Sequence, residues 1–265
     1  MKLSGYIDGI GVLGPGLNSW AHTVQVLRGE QPYHAAPTVL PAPAMLPPAE
    51  RRRTGRVVKL ALGVALEATA GAGADPAQLP SVFSSSGSDG HICHEICQAL
   101  ALPAREVSPT RFSNSVHNVA AGYWSIATGS MTESNVLCAF DASFVAGLLD
   151  AMTQIIVDRR SVLLVAYDTE YPPPLHAKRP IPDALGVAMV LTPERTPRSI
   201  AGIAVELTSA GADKMPQPEL EAMRIAIPAG RSLPLLRLLA SRIQGCAILD
   251  YLDVSRLKVR IEPCA

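Results

Sequence analysis

With 265 residues and 48% hydrophobic content, the chain can bury a substantial core, as one large domain or two small ones. Its 23 basic and 23 acidic residues cancel, so no net field draws it onto nucleic acid or anionic lipid, and neither is expected as a partner. Residues 1–14 lack the basic start, long apolar run and cleavage site of a secretory signal, which makes the cytoplasm the expected location, and the five scattered cysteines are expected as reduced thiols.

Residues 2–12 alternate apolar and polar side chains before reaching glycines and Pro15, the pattern of a strand entering a turn, and residues 19–28 suit a helix. Prolines at 32, 37, 41, 43, 47 and 48 remove backbone donors and fix φ, so residues 31–48 are expected as an irregular surface excursion. Residues 56–70 read as a helix interrupted only by Gly63 and ended by Gly71, Gly73 and Pro76. A short strand at 80–83 runs into a serine- and glycine-rich turn that starts a helix over 91–100, which Pro103 stops. A helix at 118–128, a strand at 134–140, a long apolar helix at 142–158 and a strand at 161–167 follow. Strands at 185–192 and 200–207 and a final helix at 233–243 complete the pattern. Asp141 and Asp150, with Ser143, Thr153 and Gln154, interrupt the apolar region 136–157, so it is expected as a buried core helix and not as a membrane insertion. Alternating buried strands and helices argue for a layered α/β domain with parallel strands.

Several motifs bear on chemistry. The glycines of Gly9-Ile10-Gly11-Val12-Leu13-Gly14 spell a dinucleotide fingerprint, but the proline-rich excursion stands where a second strand ending in a ribose-binding acid is needed. No cofactor is assigned. Cys93, His94 and Cys97 share one helix, from which four metal ligands cannot converge, so no metal is assigned and a structural role is read. The Ser84-Ser85-Ser86-Gly87-Ser88-Asp89-Gly90 turn lacks the spacing of a nucleophile elbow or a phosphate loop, and reads as a tight connection whose Ser or Asp caps the next helix. The segment Phe112-Ser113-Asn114-Ser115-Val116-His117-Asn118, with Tyr123 and Trp124 just beyond, gathers polar groups and aromatics at a helix entrance in a chain only 5% aromatic. Such a cluster marks a ligand site or a partner interface, with local capping as the plainer alternative. Arg51-Arg52-Arg53 is either a solvated turn or a contact for an acidic carrier domain.

These pieces resemble the β-ketoacyl synthases. Gly9 to Gly16 is similar to their first strand and turn, and Asn118-Val119-Ala120-Ala121-Gly122 to the segment before their nucleophile strand. Val136-Leu137-Cys138-Ala139-Phe140-Asp141-Ala142-Ser143-Phe144-Val145-Ala146 aligns without a gap on the ketosynthase stretch Val-Asp-Thr-Ala-Cys-Ser-Ser-Ser-Leu-Val-Ala, in which the cysteine accepts the acyl group. Phe140 stands in the cysteine position, where a phenyl ring cannot form a thioester. Cys138 lies about two strand rises, roughly 6–7 Å, before the helix N-terminus that would activate it.

The resemblance implies a thiolase-like, layered α-β-α half-fold with a mixed, mostly parallel sheet. It spans 1–265 as one domain, with a ketosynthase-like core at 2–207 and a C-terminal extension at 208–265. Ketosynthases draw two catalytic histidines from a second thiolase half, and no histidine follows His176 here. The wording Ser-Asn-Ser-Val-His-Asn and Gly-Tyr-Trp-Ser is similar to chain-length-factor subunits of aryl polyene and xanthomonadin-type pigment pathways. That likeness implies a non-catalytic subunit paired with an active ketosynthase through strand 134–140 and served by an acyl carrier protein. Phe112, Asn114, Ser115, His117, Asn118, Tyr123, Trp124 and Phe140 would line the shared interface or tunnel, and Arg51, Arg52 and Arg53 would meet the carrier. The competing expectations are a stand-alone acyltransferase or thioesterase using Cys138, Ser143 or Ser88, and a metal- or nucleotide-binding module.

Overall fold

The computed structural model describes residues 2–264. In chain order the elements are β1 (Leu3–Leu13), α1 (Trp20–Leu27), α2 (Pro48–Arg51), α3 (Arg56–Ala72), β2 (Ser81–Ser84), α4 (Gly90–Ala101), α5 (Pro109–Asn114), α6 (Val119–Thr128) and β3 (Ser134–Leu137). Then come α7 (Ser143–Val157), β4 (Val162–Asp168), β5 (Leu185–Thr192), β6 (Ala201–Thr208), α8 (Pro218–Ala226), α9 (Leu233–Ser241), β7 (Gly245–Leu252) and β8 (Ser255–Pro263). Residues 31–47 carry no regular element, as their five prolines demand, and the expected excursion ends one residue early because Pro48 opens α2, where a first-turn proline loses no hydrogen bond.

The strands join in one sheet of order β3-β2-β4-β5-β1-β6-β8-β7. Two apolar cores lie on its opposite faces. One packs Val82, Leu164, Val187 and Ile203 against Phe144, Leu148, Met152 and Ile155 of α7 and Leu235 and Leu239 of α9. The other packs Phe83, Val165, Tyr167 and Ala188 against Leu60, Val64 and Ala68 of α3 and Trp124 of α6. Helices therefore cover both faces of a central sheet, the expected α-β-α layering. The expected predominance of parallel strands is corrected: β2 runs parallel to β3 and β4, while β1–β5, β1–β6, β4–β5, β6–β8 and β7–β8 are antiparallel. Continuous apolar runs reflect burial on both faces, which antiparallel central strands share with parallel ones, so hydrophobicity alone does not report direction.

The glycines of β1 have a packing purpose. A Cβ at Gly9 would collide with the carbonyl of Ala68, and one at Gly11 with the carbonyl of Val64, so their absence lets α3 lie directly on the strand. The helix of the apolar region is long and apolar enough to cross a membrane by composition. In the structure α7 runs along the sheet and touches strands from β3 at one edge to β7 at the other, which means the sheet curls around it. Residues after 207 complete that curl: β8 pairs along the whole of β6, and β7 adds the far edge.

Candidate functional site

The strand expected at 134–140 ends at Leu137, and the chain then forms a single 3-10 turn, Phe140–Ala142, that opens α7. Phe140 has φ +50°, a left-handed conformation that costs a bulky side chain about 1–3 kcal/mol and persists only where the surroundings enforce it. The surroundings do. The Arg179 guanidinium lies 3.9 Å from the centre of the Phe140 ring, and Arg179 is bound to Asp141 at 2.5 Å. Asp141 also takes Arg231 at 3.1 Å, so one carboxylate ties together the α7 entrance, the loop after β4 and the segment before α9. The ring itself remains 61% exposed.

Beneath this cluster lies Asp168, fully buried at the end of β4. Its two oxygens accept the backbone N–H groups of Ser86, at 2.8 Å, and Ala229, at 2.9 Å, joining the turn after β2 to the turn before α9. Burial raises the Asp168 carboxyl to about 6, against the lowering effect of the Ser86 and Ala229 hydrogen bonds. Tyr171 closes the turn from outside, because Gly87 and Gly90 leave no Cβ in its way.

The alternative nucleophiles are committed elsewhere. Ser143 Oγ donates to the carbonyl of Phe140 at 2.7 Å and accepts the N–H of Ala139 at 3.0 Å, which makes it a bracket for the 3-10 turn. Cys138 lies beyond the strand and its thiol donates to the Ser86 carbonyl at 3.3 Å. Ser88 is buried at φ +57°, with its N–H held by Ser85 Oγ, while its own hydroxyl makes no hydrogen bond. The bonds of Ser143 and Cys138 fix structure, and among the described residues none of the three groups is hydrogen-bonded to an imidazole, as activation of a nucleophile would require.

The aromatic and polar segment divides in two. Phe112, Ser115 and Asn118 face outward, with Phe112 67% exposed. Trp124, at 1%, and Tyr123 turn into the core beside α3. Asn114 joins the halves: its Nδ2 donates to the Arg53 carbonyl at 2.9 Å and its Oδ1 accepts the Tyr123 hydroxyl at 3.4 Å. His117 is half-buried. Of the arginine triplet, Arg51 folds back onto the carbonyls of Ala44 and Leu46, Arg53 pairs with Glu50, and Arg52 is exposed. Cys93 and Cys97 lie exposed on α4.

Sequence reasoning missed Arg179, Arg231 and Asp168. They stand 39, 91 and 28 positions from Phe140, so no local spacing signals their convergence. The one visible hint was an acid ending an otherwise apolar strand, since such a buried charge needs donors.

A sequence model of the β-ketoacyl synthase N-terminal domain matches residues 24–241. No curated protein sequence matches the chain. Among solved structures, a chain from the complex of a ketosynthase with its chain length factor from Xenorhabdus doucetiae is similar with a TM-score of 0.73 and 23% identity, over 97% of this chain and 99% of that one. A chain from a type II polyketide synthase acyl-carrier protein in complex with its ketosynthase gives 0.75 at 12% identity, over the full length of both chains. A β-ketoacyl synthase from Burkholderia phymatum gives 0.59 at 18% identity, with 92% of this chain covering 71% of that one. These likenesses establish a thiolase-like ketosynthase fold, and the sequence match over most of the chain goes further: this protein belongs to the β-ketoacyl synthase N-terminal domain family.

Proposed function

We propose that this chain is a non-catalytic ketosynthase-like subunit, a chain-length factor that pairs with an active β-ketoacyl synthase in a type II polyketide or polyene pathway of the cytoplasm. The observation that carries the reading is Phe140: an exposed aromatic ring, held in a strained backbone, at the position where a ketosynthase carries its acyl-accepting thiol. Such a residue can limit the space open to a growing chain and cannot bond to it.

The proposed pairing runs through β3, an edge strand of four residues. Glu133 and Leu137 accept N–H groups of Ser81 and Ser85, so strand alternation turns the backbone groups of Ser134 and Val136 away from β2, toward a partner. Apolar residues lie exposed in the stretch that precedes that strand, among them Leu100, Leu102, Phe112, Val116, Ile126 and Met131, the last 96% exposed. Exposed apolar residues on a chain that also has an open sheet edge support an obligate partner. Phe112, Ser115 and Asn118 would meet it directly; Asn114, His117, Tyr123 and Trp124 would support the segment from behind. All three arginines proposed to meet the acyl carrier protein are exposed, and Arg51 and Arg53 are in addition tied to Ala44, Leu46 and Glu50. The relatives described as ketosynthase complexes with a chain length factor or a carrier protein give the pairing a precedent.

Co-expression with a candidate ketosynthase partner tests the pairing. The two chains should co-elute, and Ser134→Pro, which removes an outward N–H, or Phe112→Asp should separate them while each stays folded. A well-behaved lone monomer that captures no ketosynthase would count against the proposal.

A further inference from the structure

Phe140 belongs to neither core, yet its ring is more tightly governed than an exposed phenylalanine needs to be. Its backbone is fixed by the Ser143 hydroxyl on its carbonyl and by the Ala142 N–H bond to Ala139, which close the 3-10 turn around φ +50°. One side of the ring is covered by the Arg179 guanidinium at 3.9 Å. Arg179 is in turn fixed by Asp141, and Asp141 by Arg231 from a segment 90 residues away. A surface aromatic serving only as filler needs no such chain of supports, because an exposed side chain ordinarily keeps its rotamer freedom. What the supports produce is a flat apolar face turned outward, stiffened from behind by a cation.

We propose that Arg179 is a positioning residue for Phe140: it holds the ring as a rigid end wall against the apolar tip of an acyl chain growing on the partner subunit. The inference rests on the pairing proposed above and adds the residue that sets how sharply the wall defines chain length. Removing the guanidinium frees the ring to swing, so over-length products appear without loss of the complex. The arginine acts only through the ring, so its removal has no effect once the ring is gone.

Two measurements test this. The chain has four phenylalanines, Phe83, Phe112, Phe140 and Phe144, so 4-fluorophenylalanine labelling gives four fluorine resonances, with that of Phe140 identified by its loss in Phe140→Leu. Arg179→Ala should shift and narrow that resonance alone, Arg179→Lys should restore it in part, and Asp141→Asn should move it in the same direction by less. An unmoved resonance in a folded Arg179→Ala chain overturns the proposal without any partner present. In the co-purified complex, Arg179→Ala should raise the fraction of products longer than the wild-type maximum about two- to fivefold, the change equivalent to a cation–π contact of about 0.5–1 kcal/mol. The same substitution in a Phe140→Ala background should add nothing. If Phe140→Ala shifts product length and Arg179→Ala does not, or if the two effects add, the positioning role is wrong and the pairing survives. If Phe140→Ala leaves product length unchanged in an intact complex, the reading of the site fails and the positioning role with it.

Discussion

Asp168 offers the sharpest quantitative check on how the site is assembled. Its carboxyl is fully buried and raised from 3.8 to about 6, chiefly by burial. A folded-state value above the unfolded one means that the native chain binds this proton more tightly. The group's contribution to stability is therefore full below pH 3.8 and is lost as pH rises through about 6. The displacement corresponds to about 3 kcal/mol in all, of which about 1.3 kcal/mol is lost between pH 5 and pH 7. Asp168→Asn removes the titration. It also sacrifices one of the two backbone bonds, to Ser86 or Ala229, because the amide has a single acceptor oxygen. The variant should be less stable overall but less dependent on pH. Thermal midpoints at pH 5, 6 and 7 decide it: the wild-type drop across this range should exceed that of Asp168→Asn by about 3 °C. Parallel pH profiles for the two proteins would refute the assignment of a raised carboxyl to this position.

Other substitutions probe the fold around the site. Gly11→Ala drives a methyl into the Val64 carbonyl and should cost about 1–3 kcal/mol or more by denaturant unfolding, whereas Gly122→Ala, with open space around it in α6, should be neutral or stabilising by up to about 1 kcal/mol. Trp124→Ala should cost about 3–5 kcal/mol, while Phe112→Ala should stay within about 0.5 kcal/mol in the isolated chain and weaken only its capture of a partner. Arg224, nearly buried between Glu221 at 2.7 Å and Asp250 at 2.6 Å, fastens α8 to β7, and Arg224→Met should lower stability by about 3–5 kcal/mol by leaving Glu221 without its cation and Asp250 with Arg256 alone.

The sequence was most legible where local chemistry dictates local structure. Prolines excluded regular elements from 31–47, and long apolar runs with few helix breakers marked α3 and α7 to within a few residues. Strand direction was not legible, because β4 and β5 are buried on both faces and their apolar runs carry no sign of orientation. The end of β3 was misplaced for a related reason. Cys138, Ala139 and Phe140 have side chains that suit a strand, but the Ser143 bracket and the Arg179–Asp141 pair impose a turn there. The hairpin of β7 and β8 was missed because its alternation is diluted by charge: Arg256, Lys258 and Arg260 occupy the outward positions of β8, and Lys258 and Arg256 are answered by Glu206 and Asp250 on neighbouring strands. At the site, Phe140 was legible from one alignment position, whereas the residues that hold it converge only through the curled sheet and the segment after 207.

The account depends on acyl transfer happening on another chain. The most direct measurement is intact-mass and peptide mass spectrometry of the co-purified complex after incubation with an acyl carrier thioester. The predicted result is an acyl adduct on the ketosynthase alone, with this chain unmodified at every residue. An acyl group found on Cys138, Ser143 or Ser88 would contradict the account and make this protein an enzyme in its own right.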